Sequence, residues 1–149
     1  MTPFAWAAKA LEDVPANALI GLRVRTIDPN GAEVELPDDA RLRNPYGAVQ
    51  AGPLLGLLDA AALGAVLGHL TEDHLATVTT VARSVSLDFL APARGVLTGT
   101  SSLTVEQRAK LRALVDGDGR KLALETTAEA RAADGTVVSR ATFSWVLRR

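Results

Sequence analysis

The chain has 149 residues, of which 48% are apolar and 22% are charged, a balance typical of a globular protein with a substantial core. Its formal net charge is -1 and no long basic run is present, which argues against nucleic acid as a partner. With no cysteine and only two histidines, the sequence excludes disulfides and thiol catalysis, argues against a metal site and is compatible with a reducing cytoplasm.

The first residues predict a short helix. Residues 1–11 lack a basic start followed by a sustained apolar run, which argues against a signal peptide and is consistent with a cytoplasmic protein. Within them, residues 3–11 are predicted as a helix, with Thr2 as its cap ahead of Pro3. This helix is expected to form a lid or an edge element.

A β-hairpin is predicted next. Apolar and polar residues alternate over 19–27 and again over 32–36, as they do in strands with one buried face. The residues between the two strands, 28–31, are Asp, Pro, Asn and Gly, a combination that favours a tight turn.

The longest apolar stretch follows and carries one carboxylate, Asp59, near its middle. From about Gly52 to Leu70 it is apolar on every side, so the predicted helix must be buried in protein or in lipid. An aspartate in mid-membrane would cost roughly 2.5 to 3.5 kcal/mol, and the predicted strands need a helix to cover them, so a buried helix is favoured and no membrane is expected as a partner. Burial is expected to raise the pKa of Asp59, because an apolar environment penalises its charged form.

Four strands and one short helix are predicted after the central helix. The helix covers residues 104–114, because Thr104 and Gln107 have the spacing of a capping box. The strands are predicted at residues 77–90, 96–103, 122–131 and 137–147. The predicted fold class is therefore α+β, an antiparallel sheet wrapped around one long central helix in a single domain over residues 1–149.

Alternation along the strand at 77–90 predicts one apolar face. Val81, Val85, Leu87 and Phe89 are expected to share it, with Arg83 interrupting the pattern. If the alternation is strict, all four apolar side chains face the same layer of the fold.

Residues around the start of the central helix carry a family pattern. Asn44 is followed six residues later by Gln50, Ala51 and Gly52, and Asp59 stands nine residues after Gln50. The hotdog-fold acyl-CoA thioesterases, and most closely their phenylacetyl-CoA thioesterase-like branch, have an Asn, a His-Gly-Gly and an Asp at these spacings. The chain resembles this branch over about residues 17–147.

Two turns extend the resemblance, and two residues depart from it. Residues 89–95 approach the family turn Phe-Leu-x-Pro-Ala-x-x-Gly, and residues 134–135 match the Asp-Gly hairpin before its last strand. Gln50 replaces the family histidine and Ala51 replaces the first glycine, whereas Gly52 keeps the second. The imidazole of the family therefore has no counterpart here.

The resemblance implies an acyl-CoA thioesterase that acts on an aryl- or fatty-acyl-CoA. Asp59 is expected to act as base or nucleophile, and the backbone N–H of Gly52 as donor to the oxyanion, because amides are unpaired at a helix start. Asn44 is expected to orient the water or the substrate, and Gln50 to add a side-chain donor. CoA enters as part of the substrate, with no further cofactor.

The resemblance also implies a site between two subunits, in a homodimer or a homotetramer. Two helical turns separate Gly52 from Asp59, so the two are expected to meet around one carbonyl only if a second subunit completes the site. Arg83 and Arg94 are candidates for binding the phosphates of CoA.

Two alternative functions stay open at this point. The replacement of His-Gly by Gln50 and Ala51 favours a non-catalytic hotdog module that binds acyl-CoA or a partner protein. An enoyl hydratase or dehydratase on the same fold requires a histidine beside a carboxylate. His69 and His74 lie at or beyond the end of the predicted helix, a position that does not favour this third function.

Overall fold

A computed structural model, which describes residues 2–149, contains four α-helices, two short 3-10 helices and six strands. The helices are α1 (Ala5–Glu12), α2 (Pro15–Leu19), α3 (Ala51–Leu67) and α4 (Val105–Asp116). The strands are β1 (Arg23–Asp28), β2 (Gly31–Leu36), β3 (Thr79–Phe89), β4 (Leu97–Ser101), β5 (Lys121–Arg131) and β6 (Val137–Arg148). All six form one antiparallel sheet in the order β1-β2-β4-β5-β6-β3, and α3 packs on β2, β4 and β5.

This architecture confirms the predicted fold class and all six predicted strands. The first strand begins later than predicted, because residues 15–19 form α2 with Pro15 in its first turn, a position that suits proline. Gly21, with φ +76, then turns the chain into β1. None of the helices within residues 2–149 has the length and hydropathy needed to cross a bilayer.

The central helix lies close to the sheet because small residues face it. Leu57 and Leu58 are fully buried, and Leu57 lies against Gly99 of β4. A Cβ atom at Gly99 would stand 2.9 Å from Leu57 Cγ and 3.2 Å from the Leu57 carbonyl oxygen. Gly64 of α3 is equally tight, since its Cβ would stand 2.8 Å from the Ala32 methyl group of β2.

Gly99→Ala is expected to destabilise the protein by roughly 1 to 3 kcal/mol, because an extra methyl group in a filled core forces side chains and backbone apart. Glycine to alanine within a strand would otherwise be neutral or stabilising. Chemical denaturation measures the effect, with Thr98→Ala on the same strand as the control. Equal unfolding free energies for Gly99→Ala and the wild type would show that the helix is not held this closely.

Strand β3 forms an edge of the sheet and differs from the prediction. A bulge between Ala82 and Ser84 adds Arg83 as an extra residue, so Val81 stands opposite Val146 whereas Val85 stands opposite Phe143. The prediction that Val81 shares a face with Val85, Leu87 and Phe89 is therefore wrong, because one inserted residue reverses the alternation.

Candidate active site

The loop before α3 is organised by Asn44. Its side-chain Oδ1 accepts hydrogen bonds from the backbone N–H groups of Tyr46, at 2.9 Å, and Ala48, at 3.2 Å. This is an Asx turn, which asparagine forms readily before a proline. The Nδ2 group of Asn44 makes no hydrogen bond within residues 2–149, so one end of the amide builds the loop and the other is available to a ligand.

The N-terminus of α3 is capped by Gln50. Its Oε1 accepts a hydrogen bond from the Gly52 N–H at 2.7 Å, and its own backbone N–H donates to the Leu42 carbonyl. The Gly52 amide, predicted as a donor to an oxyanion, is therefore occupied in this structure. The neighbouring N–H of Ala51 has no acceptor among the described residues, and Ala51 is exposed. This cap was not predicted from the sequence, because glutamine is not a preferred N-cap residue.

Asp59 lies two turns further along α3. It is half-buried, and its carboxylate forms no hydrogen bond or ion pair within residues 2–149. Burial raises the pKa of Asp59 above its ordinary value, as predicted, because the apolar surroundings disfavour the charged form. A carboxylate in this state is a better proton acceptor than an exposed aspartate.

Asp59 belongs to a partly exposed stripe along α3. Gly52, Leu55, Gly56, Asp59 and Leu63 recur at helical spacing and are each less buried than Leu57 or Leu58, which face the sheet. The stripe therefore faces away from the sheet. Gly52 and Asp59 share this side of the helix, although seven residues at 1.5 Å each put them about 10 Å apart.

A groove of about 510 Å³ opens beside the start of α3 and has a mainly apolar lining. Asn44 and Ala51 contribute from the loop and the helix, Phe89 from the end of β3, and Arg94 from the following turn. The Arg94 guanidinium donates to the Tyr46 carbonyl at 3.1 Å across the groove. Asp59 does not line the groove, so one protomer holds the groove and the carboxylate on separate parts of its surface.

Tyr46 and Phe89 are groove residues that the sequence analysis did not assign to the site. Both are large and exposed, 84% and 60% respectively. A signal was present for Phe89, since it ends an apolar strand and is the first residue of the family-like turn. Tyr46 offered no periodic pattern, because it lies in an irregular loop.

Arg83 is not brought to this groove. It lies at the β3 bulge, six residues before Phe89 and therefore roughly 20 Å away along the strand. It lines two other grooves, one with Lys121 and Arg148 and one beside α4. Of the two arginines predicted to bind phosphate, the structure places only Arg94 beside the start of α3.

The two histidines lie beyond the other end of α3. His74 accepts a hydrogen bond from the Thr71 N–H, which organises the turn after the helix. Burial, together with Arg108 and Arg112, lowers the pKa of His69. Neither histidine is hydrogen-bonded to Asp59, so the arrangement that a hydratase requires is not present. No metal-ligand cluster of three or more His, Asp or Glu occurs within the described chain.

One helix packed on a six-stranded antiparallel sheet of this order is the hotdog fold, and solved structures share it. A Pseudomonas aeruginosa protein described as "Probable Thioesterase" is 22% identical, with a TM-score of 0.82 over 99% of this chain and 96% of that chain. A Haemophilus influenzae thioesterase is 16% identical, with a TM-score of 0.71 over 99% and 90%. A phenylacetic acid degradation-related protein from Ralstonia eutropha is 24% identical, with a TM-score of 0.68 over 95% and 98%.

A comparison with family sequence profiles identifies the family. The chain belongs to the family described as "Domain of unknown function (DUF4442)", whose sequence profile matches residues 5–147. No curated protein matches the chain. The predicted resemblance to hotdog-fold thioesterases is confirmed at the level of the fold.

Proposed function

We propose that this protein hydrolyses the thioester of an aryl- or fatty-acyl-CoA. The observation that carries the proposal is Asp59, a half-buried carboxylate without a hydrogen-bond or ion-pair partner among the described residues. It lies on the same side of α3 as Gly52 in the first turn of the helix. A half-buried carboxylate without a partner costs the fold stability, and a catalytic role would account for its presence. The thioesterases that share the fold support the same reaction class.

Two parts of α3 contribute to the proposed hydrolysis, Asp59 in the middle of the helix and the N–H groups of its first turn. Asp59 takes a proton from a water molecule as the water oxygen attacks the thioester carbonyl carbon, or the carboxylate attacks that carbon itself. The carbonyl oxygen becomes an oxyanion, which N–H groups of the first turn of α3 stabilise together with the positive end of the helix dipole. The oxyanion then collapses, the C–S bond breaks, and the CoA thiolate leaves. When Asp59 acts as base, the thiolate takes up the proton that Asp59 accepted from the water. When Asp59 acts as nucleophile, an acyl-Asp59 anhydride remains, and the water that hydrolyses it releases the free acid, restores the carboxylate and supplies the proton that the thiolate takes up.

A second subunit completes the proposed site. Gly52 and Asp59 are about 10 Å apart along one helix, too far for both to contact one carbonyl group. The groove beside Gly52 is open, and the stripe that carries Asp59 is partly exposed. Strand β3 has an unpaired edge with exposed Val85 and Phe89. Joining two β3 edges covers these surfaces in a homodimer, alone or within a homotetramer.

Arg94→Gln is expected to raise KM for an acyl-CoA roughly tenfold with little change in kcat, because the arginine binds a phosphate distant from the reacting carbon. Arg83→Gln tests the second predicted phosphate ligand in the same way. Arg112→Gln on the exposed face of α4 is the control for the loss of one positive charge. Steady-state kinetics with the substrate and with its pantetheine analogue, which lacks the nucleotide phosphates, measure the effect. An equal KM increase for both substrates would rule out phosphate binding.

A colorimetric assay of free CoA over a panel of aryl- and fatty-acyl-CoA substrates tests the proposed activity. Release above the uncatalysed rate for at least one substrate is expected. No turnover of any substrate would contradict it.

A non-catalytic acyl-CoA-binding module is the second candidate, favoured by one observation. The Gly52 amide, which the family pattern places at the oxyanion, is occupied by Gln50. This candidate predicts saturable binding in calorimetry, with the intact acyl-CoA recovered afterwards by mass spectrometry. Recovery of free CoA and free acid would exclude it.

A further inference from the structure

The cap on α3 is held by a single contact. Gln50 is exposed, its Oε1 lies 2.7 Å from the Gly52 nitrogen, and its Nε2 has no acceptor within residues 2–149. Gly52 is also exposed, and a Cβ atom on it would meet only Gln50 Oε1, at 3.1 Å. Rotation of one surface side chain would therefore uncover the Gly52 N–H without moving the backbone.

The Gln50 oxygen is chemically similar to the oxygen of a thioester carbonyl. Both accept a hydrogen bond from a backbone amide, and the Gly52 N–H holds one acceptor at good geometry at a time. A carbonyl that reaches this amide must replace Gln50 Oε1. The groove lined by Asn44 and Ala51 leads to the same turn of the helix.

We propose that Gln50 is a displaceable latch that caps the Gly52 N–H in the resting protein and yields it to the carbonyl oxygen of an acyl-CoA. Gln50 is thus a positioning residue whose release accompanies substrate binding. The latch rests on the proposed function for the identity of the ligand.

Binding of two matched ligand pairs tests the latch without requiring turnover. S-phenacyl-CoA carries a ketone that S-(2-phenylethyl)-CoA lacks, and S-(2-oxooctyl)-CoA and S-octyl-CoA form the aliphatic pair. For each pair, calorimetry gives the carbonyl preference, the ratio of the two dissociation constants. In Gln50→Ala the carbonyl has no competitor, so the preference is expected to rise roughly fivefold, the equivalent of one helix cap.

Two further variants separate the latch from a purely structural cap. Gln50→Glu keeps the acceptor and strengthens it by charge, so its carbonyl preference is expected to fall below that of the wild type. Thr104→Ala removes the corresponding cap of α4, where Thr104 Oγ1 accepts from the Gln107 N–H. It is expected to lower the melting temperature as Gln50→Ala does and to leave the carbonyl preference unchanged.

An unchanged carbonyl preference in Gln50→Ala overturns the latch, as does a wild type that binds none of the four ligands. The proposed function fails separately. The wild type could show a carbonyl preference that depends on Gln50 and yet hydrolyse no acyl-CoA. That result would support the latch and contradict the proposed hydrolysis. If the wild type hydrolyses acyl-CoA but its carbonyl preference is the same in Gln50→Ala, the hydrolase proposal is supported and the latch is overturned.

Discussion

Replacing Asp59 by asparagine is expected to lower kcat for thioester hydrolysis by roughly 10² to 10⁴-fold, because the amide can neither accept the proton of the attacking water nor attack the carbonyl. The shape of the side chain is nearly unchanged, so binding of an acyl-CoA should persist. Free CoA release by wild type and Asp59→Asn, measured side by side, gives the result. Full activity in Asp59→Asn would remove Asp59 from the mechanism.

The same substitution is expected to stabilise the fold at neutral pH. Burial raises the pKa of Asp59 from its ordinary value of 3.8, so above that pH the folded protein binds more protons than the unfolded chain. Stability contributed by this group therefore falls as the pH rises from about 4. Asparagine does not titrate, so the melting temperature of Asp59→Asn should exceed that of the wild type by a difference that grows towards pH 7 and vanishes below pH 4.

Asp118→Asn is the matched control for both measurements, since Asp118 is exposed between α4 and β5. It should change neither the rate of CoA release nor the melting temperature at pH 7. A single turnover in water labelled with oxygen-18 then distinguishes the two roles of Asp59. Label recovered in the Asp59 carboxylate indicates a nucleophile. Label only in the released acid indicates either a base or a nucleophile whose anhydride is opened by water at the acyl carbon, and trapping of the anhydride with hydroxylamine separates these two.

Replacing Val85 by arginine is expected to give a folded monomer that hydrolyses acyl-CoA at least roughly 100-fold more slowly. Val85 lies in the middle of the edge strand β3 and is already 41% exposed in the protomer, so the protomer tolerates a long polar side chain there. In the proposed dimer the guanidinium would be buried without a partner. Light scattering after size-exclusion chromatography gives the mass, and circular dichroism confirms folding.

Val105→Arg is the control for this substitution. Val105 is 78% exposed on α4, on an element that the dimer proposal does not use, so the variant should keep both the mass and the activity of the wild type. A wild type that is already monomeric would contradict the proposed interface. An active Val85→Arg monomer would show that one subunit holds the complete site.

Apart from α2, which the sequence analysis missed, the order of helices and strands was predictable because it depends on local signals. The Asp, Pro, Asn and Gly turn between β1 and β2, the capping box of Thr104 and the apolar run of α3 each specify their structure without help from distant residues. The carboxylate of Asp59 was found for the same reason. A single charge in an apolar helix is visible in the sequence, and its raised pKa follows from burial alone.

The bulge in β3 and the cap on α3 could not be predicted, because they depend on contacts with neighbouring strands and side chains. The bulge at Arg83 depends on how β3 pairs with β6, and alternation along one strand carries no information about its partner's register. The hydrogen bond from the Gly52 N–H to Gln50 depends on the rotamer of one exposed side chain. The sequence by itself determined the fold and the position of the carboxylate, because the pattern of apolar residues and the chemistry of turns are local. Only the tertiary structure decided which amide of α3 is occupied and which surfaces are left open, because those depend on the packing of the whole chain.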